Sequence, residues 1–264
     1  MARRLSQLAL AEEAEISGRH LCFLETGRAR PSREMVHRLA GVLDISLGER
    51  NALLVAAGYA PAFGERTLRA PELEHVRRAL DFILDRQEPY PAIVVDGGWN
   101  TVLTNGAARQ IFGLFQDPTA LSPEHARNAM HAICHPEGMR RFIVNWEEFA
   151  GPLMHAIHRE AAQGTNPAVT RLRQELLAYP GMPAHWKIAD LSVPVTPVLT
   201  LRLRKDDVCL AFFSTLTTLA TPRDVGLEQL RIECFYPADS ATQRAARRLA
   251  APAQRYPGRV GDAS

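Results

Sequence analysis

Between Ser6 and Ser32 the chain alternates helix caps with short apolar faces, and this leaves it little choice of structure. Ser6 is a favourable N-cap, because its hydroxyl can accept from the free amides of a first helical turn. Leu8, Leu10 and Ala14 follow as a small apolar face, and Glu15-Ile16 make a turn. Ser17 is a second N-cap, opening a helix that carries Leu21 and Leu24 inward and stops at Gly27, a residue suited to a left-handed cap. Two helices this short cannot bury themselves alone, so the pattern predicts a small all-helical domain. Its most useful product is the exposed start of the second helix, where Ser17, Gly18, Arg19 and Cys22 face a groove.

The motif SQxxLAxxAxIS…LxxLETGRxxPS, read over Ser6–Ser32, resembles the helix-turn-helix of the lambda-repressor/Cro class, the XRE group of bacterial regulators. The resemblance implies that the second helix enters the major groove of double-stranded DNA. Gln7 would touch a phosphate or support base contacts, Ser17, Gly18, Arg19 and Cys22 would lie along the DNA, and Arg28 would sit near its backbone. Domains of this class carry a full helix before the Ser-Gln pair. Here Met1–Leu5 leaves almost no room for one, so that first helix is expected to be largely missing.

Charge is consistent with a local rather than a global footprint. The net charge is only +2, yet Gly18 to Arg33 holds four basic residues (Arg19, Arg28, Arg30, Arg33) against one acid, Glu25. Phosphate contacts of this kind weaken with salt. A mean hydropathy of −0.15 and 46% apolar residues suit an ordinary cored protein. Cysteines at 22, 134, 209 and 234, without a Cys-x-x-Cys pair, suit reduced thiols. With no apolar run of membrane length and no secretory signal, the expectation is a cytoplasmic, nucleoid-associated protein with no membrane partner.

Helices are expected over about Arg33–Leu43 and Leu47–Ala57, ending a DNA-binding domain at 1–61. Residues 62–91 read as a linker and connecting helix, with Pro71 at a tolerated first position. From residue 92 the period changes. Ala92–Val95 and Trp99–Leu103 read as a hairpin about Asp96-Gly97-Gly98, with positive φ expected at the glycines, and Asn105 caps a helix Gly106–Phe112. Helices follow at roughly 123–134, 138–163 and 167–178, then strands at Val193–Arg204, Val208–Thr218 and Leu227–Phe235. That makes a sheet of about five strands within a domain 92–240. Residues 241–264, rich in Ala and Arg, read as a flexible basic tail.

Strand, Gly-rich turn, strand, Asn and short helix resemble the opening of PAS sensor domains. The segments YPAIVVDGGWNTVLTN, HPEGMRRFIVNW, ELLAYPG and CLAFFSTLTTLATPRDVGLEQLRIECFYPAD, spread over residues 70–240, are similar to the ligand-binding domain of MmyB-like transcription regulators. The resemblance implies two domains, an all-α lambda-repressor-like one followed by an α+β PAS-like antiparallel sheet with helices. It also implies a deep apolar pocket for a small, fatty-acid-like ligand. Candidate walls are Trp99, Leu103, Phe112, Phe142, Ile143, Trp146 and Phe149, and a candidate floor is Leu199, Leu201, Phe213 and Thr215. Arg140 and Arg141 are placed to hold a carboxylate.

His131, Cys134, His135, His155 and His158 are compatible metal ligands, but no spacing among them matches a zinc pattern, so no metal and no cofactor are expected. The chain has no Gly-x-Ser-x-Gly elbow, no phosphate-cradling loop and no His-Glu-x-x-His, and it is read as a non-enzyme. The reading is a ligand-responsive regulator acting as a homodimer. Its rivals are a small-molecule carrier with impaired DNA binding and a protein–protein interaction module.

Overall fold

The computed structural model describes residues 5–164, 166–187, 198–220 and 222–250. It divides into two compact units, one of residues 1–67 with 219–229, the other of 68–218 with 230–264.

The first unit holds α1 (Gln7–Glu13), α2 (Gly18–Glu25), α3 (Arg33–Val42) and α4 (Leu47–Ala56). Each start is set by a serine. Ser6, Ser17 and Ser32 accept from Ala9, His20 and Met35 amides at 3.1 Å apiece, and Ser46 forms a reciprocal capping box with Glu49. Gly27 takes φ +69 beyond α2. Ala11, Ala14, Leu21, Val36, Ala40 and Leu54 are buried between the helices. Met1–Arg4 lie outside the described residues.

This unit does not end at residue 61. Asn51 on α4 accepts from the Ala62 and Phe63 amides and donates to the Phe63 carbonyl at 2.8 Å, so the expected linker starts as pinned chain. The unit also contains a segment from far along the sequence, 219–229, with a short helix at Val225–Glu228. Asp224 accepts from the Arg66 and Gly226 amides, and the Val225 amide donates to the Gly64 carbonyl. Glu228 accepts from the Leu47 amide at 2.8 Å, filling one of the vacant donor positions that open every helix. A Cβ on Gly226 would lie 2.7 Å from the Arg66 carbonyl oxygen, so this close approach requires glycine.

In the second unit a 3-10 turn at Pro71–Leu73 leads into α5 (Glu74–Gln87). Leu80 and Leu84 of α5 are buried and the helix packs on β1 (Ala92–Val95). The expected connecting helix is therefore part of this unit. Then come β2 (Thr101–Thr104), α6 (Gly106–Gly113), α7 (Pro123–Arg127), α8 (Ala129–Cys134), a 3-10 turn at Met139–Phe142, α9 (Trp146–Gln163) and α10 (Pro167–Leu177). A further 3-10 turn at Ala184–Lys187 precedes β3 (Thr200–Lys205) and β4 (Val208–Thr217), and the short helix of the first unit, α11 (Val225–Glu228), precedes β5 (Arg231–Pro237) and α12 (Ser240–Leu249). The five strands form one antiparallel sheet in the order β2-β1-β5-β4-β3.

Several expectations are corrected. Asn128 splits the helix expected over 123–134, taking an extended conformation while its side chain caps α8. The strand expected from Leu227 begins with α11 and only then becomes β5. The segment 193–197 of the expected third strand lies outside the described residues. The tail expected from 241 is helix to Leu249, because Thr242 and Ala246 are buried and the Thr242 hydroxyl accepts from the Ala211 amide. Residues 251–264 lie outside the described residues. Finally, neither Gly97 nor Gly98 has positive φ; Trp99 takes +65 instead, with Asp96 accepting from the Gly98 and Asn100 amides.

Candidate functional site: a cavity over the sheet

Between one face of the sheet and helices α6, α8 and α9 lies a cavity of about 310 Å³, at the small end of the range for ligand pockets. On the sheet side it is lined by Ile93, Val95, Leu201 and Phe235, with Thr101, Thr104 and Glu233 as polar members. On the helix side small residues, Ala108, Ala129 and Ala132, leave the space that Phe112, Phe149 and Leu153 enclose.

Strand register decides which side chains reach it. Ile93 pairs with Thr104 and Val95 with Thr101, while Val94 pairs with Leu103, so Val102 is an extra residue in β2. This bulge reverses the alternation and puts both threonines on the cavity face. Leu103, an expected wall, therefore shares the opposite face with Val94. On β4 the cavity side is the even-numbered one, since Phe212 pairs with Leu201. Phe213 and Thr215 point away, Phe213 stacking on Tyr236 at 5.4 Å.

Of the residues expected to hold a ligand, Trp99, Phe112, Ile143, Phe149 and Leu201 line the cavity. The others serve elsewhere. Arg140 donates to the Pro180 and Gly181 carbonyls and lies 3.8 Å over the Trp146 ring, so it clamps a turn instead of facing a carboxylate. Arg141 pairs with Glu137 at 3.3 Å and covers Phe142. Trp146 packs on Trp186 and donates to the Ile133 carbonyl, Phe142 packs edge-on against Phe115, and Leu199 is half-buried at the margin of the core.

Trp99 closes one end. Its Nε1 donates to Glu160 at 3.1 Å, Arg231 lies 4.8 Å over its ring, and Arg231 pairs with Glu160 at 2.8 Å. Asn128 and Asn166 donate to the Gly98 and Gly97 carbonyls and hold the loop from which Trp99 projects.

Glu233 was not among the expected site residues. It sits on β5, the middle strand, with Ile93 opposite on one side and Leu216 on the other. Burial pushes its carboxyl up to about 6, with the Ser214 hydroxyl pulling the other way. Its signal in the sequence was an acid at an interior position of the strand, alternating with Ile232 and Cys234. Arg109 also lines the cavity, but it is exposed and its Nη1 donates to the carbonyl and hydroxyl of Thr104 on the edge strand.

Away from the cavity, donor atoms of His125, His131 and Glu175 lie within 4.8 Å of one another. His131 meets the Tyr179 hydroxyl at 2.6 Å through Nδ1 and Glu175 at 3.2 Å through Nε2. Burial, and then the neighbouring His125, hold it below the usual imidazole range, while Glu175 opposes them. The His125 and His131 rings stack at 4.0 Å and 20°. Ring lone pairs lie in the ring plane, so two near-parallel rings do not converge on one ion; Cys134 nearby is a buried thiol pushed up to about 12.

The model of the MmyB-like transcription regulator ligand binding domain matches residues 76–249, which include the whole sheet and the cavity. The chain belongs to that family. The matched span takes in all of α12 and all but the first two residues of α5. No curated protein is a significant match to the chain. Among solved structures, one described as an RNA-binding light-oxygen-voltage receptor aligns with 14% identity and a TM-score of 0.27, covering 92% of this chain and 56% of that one. The chain thus spans little more than half the length of that receptor, and an overlap this loose carries no argument. Among the described residues, no helix is long and apolar enough to cross a membrane.

Proposed function

We propose that this chain is a bacterial ligand-responsive transcription regulator. The observation that carries the reading is an apolar cavity inside a ligand-binding domain of a regulator family. The proposed ligand is small and mainly apolar, fatty-acid-like in having a hydrocarbon chain. DNA contact is assigned to α2 and its surroundings, where Gln7, Ser17, Gly18, Arg19, Cys22 and Arg28 are all exposed. Gln7 there donates to Glu25, which fixes its amide beside the end of α2. Action as a homodimer on near-palindromic sites in the cytoplasm, at the nucleoid, belongs to the same proposal.

A route for the signal is written in the covalent chain. The loop joining β4 to β5 contains the segment 219–229, which belongs to the helical unit and caps α4 through Glu228. A ligand that shifts these two strands acts on a segment built into the proposed DNA-binding unit. To regulate, it must favour one DNA-binding state over the other.

The test is a titration of the full chain against its own upstream duplex and a scrambled duplex at several salt concentrations. Preferential binding that weakens with salt is expected; equal weak binding to both overturns the DNA assignment. Arg19→Ala is expected to lose about tenfold in affinity and about one unit of the log–log salt slope if Arg19 meets a phosphate. Ala132→Phe fills the cavity from α8 and is expected to weaken binding of dodecanol, a neutral chain probe, by at least about tenfold. Unchanged dodecanol binding would place the ligand elsewhere.

A further inference from the structure

Among the described residues, the carboxyl group that lines the cavity, Glu233, has no cationic partner. Glu233 stands half-buried on the middle strand of the floor, lining the cavity with Ile93 opposite on one side and the exposed Leu216 on the other. The other charged residue that lines the cavity, Arg109, is engaged with Thr104. Thr104 and Glu233 are both opposite Ile93, on its two sides, so they stand two strand spacings apart, about 10 Å. The two arginines placed by sequence to receive an acid, Arg140 and Arg141, are occupied outside the cavity.

A carboxylate in such surroundings is costly unless it is paired and hydrogen-bonded. It also repels a second carboxylate, so a free fatty-acid anion entering head-first would meet like charge in a low-dielectric space. An ammonium group reverses both effects: it neutralises Glu233 and supplies several donors to its oxygens.

We propose that the ligand of this chain is an amphiphilic amine, an apolar chain ending in an ammonium group that pairs with Glu233 beneath the helices. The proposal rests on the cavity being the ligand site, and it names the ligand's chemical class. Glu233 and Ser214 lie on the two strands joined by the 219–229 segment, so the charged end of the ligand is held where the proposed signal leaves the sheet.

The test is a ranking of three probes of one chain length, dodecylamine, dodecanol and dodecanoate, by calorimetric titration below their aggregation concentrations at pH 7.5. The amine is expected to bind at least about tenfold more tightly than the acid, with the alcohol between them. In Glu233→Gln that preference is expected to shrink to less than about threefold while dodecanol binding is retained. Dodecanoate binding as tightly as the amine, or an amine preference that survives in Glu233→Gln, overturns the head-group assignment and leaves the cavity as the ligand site. Failure of all three probes to bind overturns both. The ranking in the native chain decides the matter even if the variant does not fold.

Discussion

Replacing Asp224 by alanine is expected to remove about 3 kcal/mol from the helical unit and leave the sheet domain intact. The side chain is only 6% exposed, and its two oxygens accept from the Arg66 amide at 3.2 and 3.3 Å and from the Gly226 amide at 2.9 Å. Alanine leaves those donors without an acceptor, at roughly 1–3 kcal/mol each. Asp224→Asn keeps one acceptor oxygen and is expected to lose less than half as much. Hydrogen exchange reads the difference by region. Faster exchange across α4 with unchanged exchange in β3 and β4 is the expected result, and uniform protection in Asp224→Ala would show that 219–229 does not hold that unit together.

Glu233→Gln is expected to stabilise the protein at neutral pH. The folded state keeps this proton up to about pH 6, whereas the ordinary value is 4.5. Between those values the native state binds more protons than the unfolded chain, so stability falls as pH rises through the window. The penalty is complete above about pH 6 and absent below 4.5. Its size is on the order of 2 kcal/mol, from 1.36 kcal/mol per pH unit. Chemical denaturation of the variant should therefore show a gain of about 2 kcal/mol at pH 7.5 and none at pH 4. An equal gain at both would tie the effect to packing rather than to charge.

The two-part architecture and the five-stranded sheet were legible because the signals that set them are local. Serine caps at 6, 17, 32 and 46 and the turn at Asp206-Asp207 act on their own neighbours. The cavity was harder to read, because its lining depends on parity. One extra residue, Val102, moves Leu103 off the cavity face and Thr104 onto it. A choice of odd over even positions on β4 selected Phe213 and Thr215 in place of the face that carries Phe212 and Ser214. Arg140 and Arg141 lay near the aromatic run in sequence, but carbonyls at Pro180 and Gly181, forty residues on, compete for the first of them. The 219–229 segment was read as strand and connection, since its partners at Gly64–Arg66 are more than 150 residues away.

That segment changes what can be exchanged between proteins. In a regulator whose halves meet at a single linker, one crossover swaps the whole reading head. Here the helical unit is assembled from two separated stretches, 1–67 and 219–229. Residues 1–67 moved alone onto another body would leave behind the carboxylates of Asp224 and Glu228 that close on Arg66 and Leu47. A working graft therefore has to transfer both stretches together, so that each half inherits the other's history.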